Sequence, residues 1–295
     1  MAAAEDASPA GTMPVQQLRT GDHAFVGYGD DDAGRDVVTT FAWTGLAHNE
    51  KVMVFSAPQL AEAEVWNRLD APGALLGAAR ERGQLVLSSM RALIHPARHF
   101  TPERQWQRIE EETDRALAEG YRGLRTYIDM HWVGDLDADV AVMMHRESHA
   151  QHLFTGRPYT EICAYDSRWF APEVLSAMHE AHPCRLLPHL GALHGEQSEN
   201  TVRLAGEADI NTREQLIAAL REGLARSADA RRLTVDMSQL VFLSAACAVD
   251  LLRMAASSAA HDLIEVRCPP TVARILRRAS DGTSTNLVIR EVSRR

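Results

Sequence analysis

From about residue 22 onward, short apolar runs alternate with amphipathic segments. HAFVGY, KVMVFSA, QLVLSS, GLRTYIDM and YTEICAYD read as strands. A continuous apolar run such as KVMVF suits a strand buried on both faces. Between these runs, AGRDVVTTFAWTGLAHN, PQLAEAEVWNRL, TPERQWQRIEEETDRALAEG, ADVAVMMHRESHAQHLF and APEVLSAMHEAH read as helices. The third carries its own punctuation: Thr101 at the N-cap, Pro102 at the first helical position and Gly120 closing it. Such alternation predicts an α/β fold, an open and mostly parallel sheet with helices on both faces.

The rhythm breaks at HPCRLLPHLGALHGEQSEN, where prolines, glycines and a polar end mark a boundary near residues 188–199. A second, smaller set follows. TVRLAGEAD, RLTVDMS, LIEVRCP and NLVIREV read as strands; TREQLIAALREGLARS, SAACAVDLLRMAASSAA and PTVARILRRAS read as helices. The chain has 295 residues, and single cores seldom grow past about 250, so two α/β domains are expected. The expected layout is a disordered tail at 1–13, a domain at 14–190, a linker at 191–199 and a domain at 200–292.

Charge and cysteine usage narrow the function. The net charge of −9 argues against a general binder of nucleic acid or of anionic membranes. No apolar run approaches the roughly 20 residues that span a bilayer, and the first residues lack a signal peptide's basic and apolar regions. The four cysteines are widely spaced without a CxxC, as in a protein of reduced thiols. A cytoplasmic protein is expected.

One stretch has the outline of a nucleotide site. In HAFVGYGDDDAGRD a strand runs into a loop and then a helix, with Gly29 and Gly34 spaced as in a phosphate-binding loop. The next positions, Lys and Ser or Thr in a working loop, are Arg35 and Asp36, and the loop is filled by Asp30, Asp31 and Asp32. Two like charges at about 4 Å repel by roughly 4 kcal/mol at an effective dielectric of about 20. The stretch reads as a degenerate P-loop, an acidic turn that has lost nucleotide. No G-x-S-x-G element or paired-carboxylate site stands out, so an enzyme is not expected.

Several N-terminal stretches, in order, carry a resemblance. LRTGDHAFVGYGDD, GLRTYIDMHW and YTEICAYDSRWFAPEVLSAMHEAHP together resemble the MEDS sensory domain of bacterial and archaeal regulators, over residues 14–190. Where that family usually has a cysteine two positions after its first histidine, this chain has Phe25. The resemblance implies a RecA- or KaiC-like sheet and the sensing of a small organic molecule. Ligands of open α/β sheets bind beyond the carboxyl ends of strands. His23, Phe25, Tyr28, Asp129, Trp132, Glu161, Cys163, Tyr165 and Asp166 are therefore the expected sensor pocket. No cofactor is implied.

The C-terminal landmarks LAGEADINTREQL, RLTVDMSQLVFLS and SAAC resemble the STAS domain of anti-sigma factor antagonists, over residues 200–292. That resemblance implies a protein partner, an anti-sigma factor of the histidine-kinase-like ATPase fold. In the family a Ser or Thr at the start of one helix is phosphorylated by that kinase, adding about −1.5 to −2 charge to an interface. Here the corresponding positions are Ser244, Ala245, Ala246 and Cys247, and alanine has no hydroxyl. With Asp209 they form the expected partner-binding surface. The phospho-switch is expected to be lost, with Ser244 its one remaining acceptor and otherwise a helix N-cap.

Histidines supply an alternative. His145, His149 and His152 recur at i, i+4 and i+7, a spacing that could hold zinc or haem iron, although a solvated helix face explains it as well. His179 and His182 sit near a helix C-terminus, where a cationic cap is favourable. The expected function is a signalling and transcription regulator in which a ligand sensor controls a STAS domain, with a homodimer compatible. The alternatives are a metal- or haem-dependent sensor and an ATPase-related nucleotide-binding enzyme.

Overall fold

The computed structural model describes residues 11–69, 75–97, 99–136, 138–280 and 286–292; residues 1–10 of the expected tail lie outside them. The chain separates into two compact units whose main bodies are Val15–His189 and Leu190–Arg295.

The first unit is built on β1 (His23–Tyr28), β2 (Lys51–Phe55), β3 (Leu85–Ser88), β4 (Leu124–Asp129), β5 (Tyr159–Asp166) and β6 (Cys184–Leu186). They lie in the order β6-β1-β5-β4-β2-β3, every pair parallel. The helices are α1 (Asp31–Ala47), α2 (Glu62–Leu69), α3 (Leu75–Glu81), α4 (Met90–Ile94), α5 (Pro102–Ala118), α6 (Trp132–Asp135), α7 (Val140–His149), α8 (Gln151–Phe154) and α9 (Pro172–Ala181). All residues of β2, β4 and β5 are buried, as the continuous apolar runs require.

Strand side chains alternate between the two faces of a sheet. Arg125, Tyr127 and Asp129 point one way; the Arg125 guanidinium lies 5.0 Å from the centre of the α1 ring of Phe41. Phe25, Phe55, Ile128, Cys163 and Tyr165 point the other way, into a core with Ile109 of α5, Met143 of α7 and Met178 of α9. Helices therefore cover both faces.

Local signals hold where side chains cap ends: Thr101 accepts the Arg104 amide at 3.2 Å ahead of Pro102. The helix expected over residues 138–154 instead breaks at Ala150 into α7 and α8. There the Leu153 amide bonds the Ala150 carbonyl at 2.9 Å, and the His152 ring meets the His149 carbonyl at 2.9 Å.

The second unit contains β7 (Leu193–Ser198), β8 (Thr201–Ala208), α10 (Arg213–Arg226), β9 (Arg232–Leu243), α11 (Ala245–Ser257), β10 (Leu263–Cys268), α12 (Pro270–Ala279) and β11 (Leu287–Glu291). The sheet order is β11-β10-β9-β8-β7; the first four strands are parallel and β7 is antiparallel to β8. The stretch read as a linker is thus largely a strand. Glu199 takes a positive φ of 36° and turns β7 back on β8, and Gln197 of β7 bonds the Ala219 carbonyl of α10 at 2.8 Å. Among the described residues no helix is long and apolar enough to cross a membrane.

Candidate functional site

A cavity of about 530 Å³ opens beyond the carboxyl ends of β1, β2, β4 and β5, within the range usual for small-molecule sites. Val38, Val54, Leu60, Val65 and Leu69 form its apolar wall. Its polar end is a set of mutually paired groups. The Tyr28 hydroxyl donates to Asp129 at 2.9 Å, and the other Asp129 oxygen receives the His131 amide at 3.0 Å and meets His131 Nδ1 at 2.6 Å. Burial, with Tyr127 and Asp129 nearby, keeps Tyr28 a neutral phenol by raising its pKa. Arg168 clasps Asp166 at 2.7 Å and Asp31 at 2.6 Å. Burial opposes the charge on Asp166, but hydrogen bonds from Arg168 outweigh it and hold the carboxyl below its usual range. The Trp169 ring, largely exposed, meets His131 edge-on at 4.7 Å.

The acidic loop is internally spoken for. Asp30 caps α1 by accepting the Ala33 amide at 2.7 Å, Asp31 takes Arg168, and Asp32 pairs with Arg35 at 2.9 Å. Gly34 lets the loop close down: a Cβ there would lie 3.2 Å from the Tyr28 ring.

Of the residues expected to form one pocket, Tyr28, Asp129 and Asp166 do so. His23, Phe25, Glu161, Cys163 and Tyr165 do not, because they occupy the alternate strand positions and face the opposite side of the sheet. Register places His23 beside Glu161 and Phe25 beside Cys163 there. His23 also begins β1 rather than ending it. Trp132 lies on α6 and packs on Phe100 in the core, ring centres 4.3 Å apart. His131, Arg168, Trp169 and Asp31 also line the pocket; of these the sequence pointed only to Asp31, as part of the acidic loop.

On that opposite face lies a fully buried polar cluster. Arg146 bonds Glu147 at 2.7 Å and also Glu161, which receives the Tyr159 hydroxyl as well. His23 Nε2 lies 3.1 Å from Glu147 and 3.3 Å from Glu161. Burial disfavours charge on both carboxyls, yet Arg146 prevails and brings Glu147 down to about 2 and Glu161 lower still. Burial also works against a proton on His23, but hydrogen bonds to the two carboxylates win and raise its pKa. His182, by contrast, is pushed down to about 4 by burial and by the charge on His23. Burial holds Cys163 well above the usual thiol range. The donor atoms of His23, Glu147, Cys163 and His182 lie within 4.8 Å of one another. His145, His149 and His152 form no such cluster among the described residues; the His145 and His149 rings stack at 4.2 Å on an exposed face.

In the second unit Ser244 caps α11, its oxygen accepting the Cys247 amide at 3.2 Å, while its own amide bonds the Ala208 carbonyl at 2.8 Å. Ala245 and Ala246 are exposed and Cys247 is buried, its thiol on the Asp209 carbonyl. The Asp209 carboxylate closes the turn into α10, taking the amides of Asn211 and Thr212. Two apolar side chains near this region in sequence are exposed: Ile210, next to Asp209, at 70%, and Phe242, two residues before Ser244, at 48%.

Comparison with known proteins agrees with this division. Residues 22–183, more than half of the chain, match the family model described as the methanogen/methylotroph DcmR sensory domain, MEDS. Residues 192–288 match the model described as the Mlab STAS domain. Among curated proteins, none matches the sequence. Among solved structures, the chain is similar to the flagellar accessory protein FlaH of Methanocaldococcus jannaschii. That similarity has 10% identity and a TM-score of 0.39, and covers 63% of this chain and 76% of FlaH.

Proposed function

The chain belongs to the MEDS family of sensory domains, followed here by a STAS domain, and from that premise we propose a non-enzymatic cytoplasmic regulator switched by a small organic ligand. The ligand occupies the cavity beyond β1, β4 and β5. The single observation that carries this reading is the internal pairing of the cavity's polar end. Asp129 is satisfied by Tyr28 and His131, and Asp166 by Arg168. No buried charge there asks for an ionic ligand, and the apolar wall favours a mainly apolar molecule with one hydrogen-bonding group. The amide that a phosphate would use at the start of α1 is held by Asp30.

Ligand occupancy shifts the population of states in which the STAS surface is available. That surface is the start of α11 with Ile210, Phe242, Ala245 and Ala246, all exposed. Its partner is an anti-sigma factor of the kinase-like ATPase fold. Ser244 serves as a cap, so control passes from phosphorylation to the sensor.

Thermal unfolding with phenol, 1-butanol and Mg-ATP as probes tests the reading. Saturable stabilisation by a neutral probe, lost in Gly34→Val where the added side chain crowds Tyr28, is expected. Stabilisation by Mg-ATP alone overturns it. For the switch, stoichiometric phosphate on Ser244 after incubation with a cognate kinase, seen by mass spectrometry, rules out a sensor-only mechanism.

A further inference from the structure

We propose that the buried cluster on the α7–α9 side of the first sheet is a divalent metal site, with His23 Nε2, His182 Nε2, Glu147 Oε2 and Cys163 Sγ as ligands and zinc as the ion it fits. The site lies on the other face from the proposed ligand cavity and does not depend on that reading.

The four donor atoms all lie within 4.8 Å of one another, and four of their six separations fall near those of a tetrahedral set. Glu147 Oε2 lies 3.1 Å from His23 Nε2, 3.3 Å from His182 Nε2 and 4.0 Å from Cys163 Sγ, and the His23–Cys163 separation is 3.7 Å. Zinc bound to nitrogen at about 2.0–2.1 Å and to sulfur at about 2.3 Å sets its ligand atoms roughly 3.3–3.6 Å apart. Small adjustments of side chains bring all four into range. Two imidazoles, a thiol and a carboxylate are a zinc-type donor set.

His182 points to the ion independently. Its Nδ1 bonds the Met178 carbonyl at 2.6 Å and therefore carries the ring hydrogen. Its Nε2 is fully buried and makes no hydrogen bond, yet it faces a Glu147 oxygen at 3.3 Å. Two lone pairs at that distance repel in a dry interior, and a cation between them removes the conflict. A backbone carbonyl fixing the far nitrogen of a histidine is the usual outer support of a metal ligand. On Glu147 the far oxygen Oε1 receives the Tyr165 hydroxyl at 3.4 Å, while Arg146 bonds the ligand oxygen Oε2 itself at 2.7 Å.

Arg146 is also the rival cation, since its Nη1 lies 3.3 Å from Cys163 Sγ and 3.5 Å from His23 Nε2. The charges accommodate both. Without metal, Arg146 and a protonated His23 balance Glu147 and Glu161. With zinc, the ion and Arg146 balance the two carboxylates and the Cys163 thiolate, and both imidazoles are neutral. Zinc thus replaces two protons, from the His23 imidazolium and the Cys163 thiol, both released to solvent. The ion joins β1 and β5 to α7 and to the end of α9.

The test is titration of the full chain, stripped with chelator, first with cobalt(II) chloride as a visible probe and then with zinc chloride. Expected are stoichiometric uptake, the absorption bands of tetrahedral cobalt, a thiolate-to-cobalt band, and displacement of all of them by zinc. Cys163→Ser loses the thiolate band. His182→Gln weakens zinc binding by about tenfold or more. The exposed triple variant His145→Ala/His149→Ala/His152→Ala keeps the signal. A folded wild-type chain that takes up neither ion at micromolar concentration overturns the proposal and leaves Arg146 and the His23 proton as the cluster's cations. So does a signal lost with the exposed histidines, or a thiolate band that survives in Cys163→Ser. Should Cys163→Ser not fold, the wild-type thiolate band and the exposed triple variant decide alone.

Discussion

The Asp30 carboxylate accepts the Ala33 amide at 2.7 Å and so occupies the place where a phosphate would meet the first turn of α1. Gly29 and Gly34 have the spacing of a phosphate-binding loop, and the helix start between them is capped by the loop's own carboxylate. Asp30→Ala is expected to lower stability by about 1 kcal/mol, the usual worth of a side-chain N-cap, measured by urea unfolding. It is not expected to create nucleotide binding, because Asp31 and Asp32 remain beside the freed amides. Isothermal titration of the variant with Mg-ATP checks this; micromolar binding would show that Asp30 alone blocks the loop.

At the far side of the cavity the Asp166–Arg168 pair sets a pH dependence. The Asp166 carboxyl is held below its ordinary 3.8 in the folded chain. Its contribution to stability is therefore fully present above the unfolded value and is lost as pH falls through the folded one. Arg168→Gln should lower the urea midpoint at neutral pH, and the gap from wild type should close as the pH drops below 3.8. A gap that stays constant to low pH would mean that Arg168 acts through packing instead.

Arg146 offers a larger effect. It is 1% exposed and bonds both Glu147 and Glu161. Arg146→Met leaves two buried carboxylates without their arginine. In chelator, a loss of about 3–5 kcal/mol in urea unfolding is expected. Adding Glu161→Gln should recover part of the loss, because neighbours in one network do not contribute additively.

These sites differ in how far sequence alone could reach them. Strand–helix alternation carried the parallel sheet and the helices on both faces, because burial on both sides writes itself as unbroken apolar runs. Tyr28, Asp129 and Asp166 followed from the rule about strand ends. The same rule failed for His23, Glu161 and Cys163, since a period of two sends neighbouring strand residues to opposite faces. On α7 the histidine repeat legible in the sequence, His145 and His149, lies on the exposed face. The buried face holds Met143, Arg146, Glu147 and Ala150, three to four residues apart, and a charged pair on an apolar stripe was the available signal. His182 approaches that pair only through the placement of α9, which no local pattern encodes. Leu193–Ser198 reads as linker because five of its six residues are polar or glycine; pairing with β8 makes it a strand.

Gly223 shows a constraint of the same tertiary kind. It lies inside α10, where alanine is ordinarily better by about 1 kcal/mol. Here an added Cβ would sit 2.1 Å from Val202 Cγ2 of β8. Overpacking by about 1–3 kcal/mol then outweighs the gain in propensity. Gly223→Ala should lower the unfolding temperature of the second unit by several degrees, seen by calorimetry. A rise would show that α10 can move away from β8 without penalty.

The start of α11 gives the most direct test of partner binding. Phe242 and Ile210 are 48% and 70% exposed, and Ala245 and Ala246 are exposed as well. Exposed side chains of this kind contribute little to folding, so Phe242→Ser and Ile210→Ser should change stability by no more than about 0.5 kcal/mol. At an interface, a large apolar anchor that becomes buried is worth about 2 kcal/mol or more, and every 1.4 kcal/mol is about tenfold in affinity. Each variant should therefore weaken binding of an anti-sigma factor by at least about tenfold, measured by surface plasmon resonance, with an unchanged circular dichroism spectrum. Ser244→Ala removes a cap, so its expected signature is the reverse: a loss of about 1 kcal/mol in stability with affinity largely kept. Equal affinity for wild type and Phe242→Ser would place the partner elsewhere on the domain.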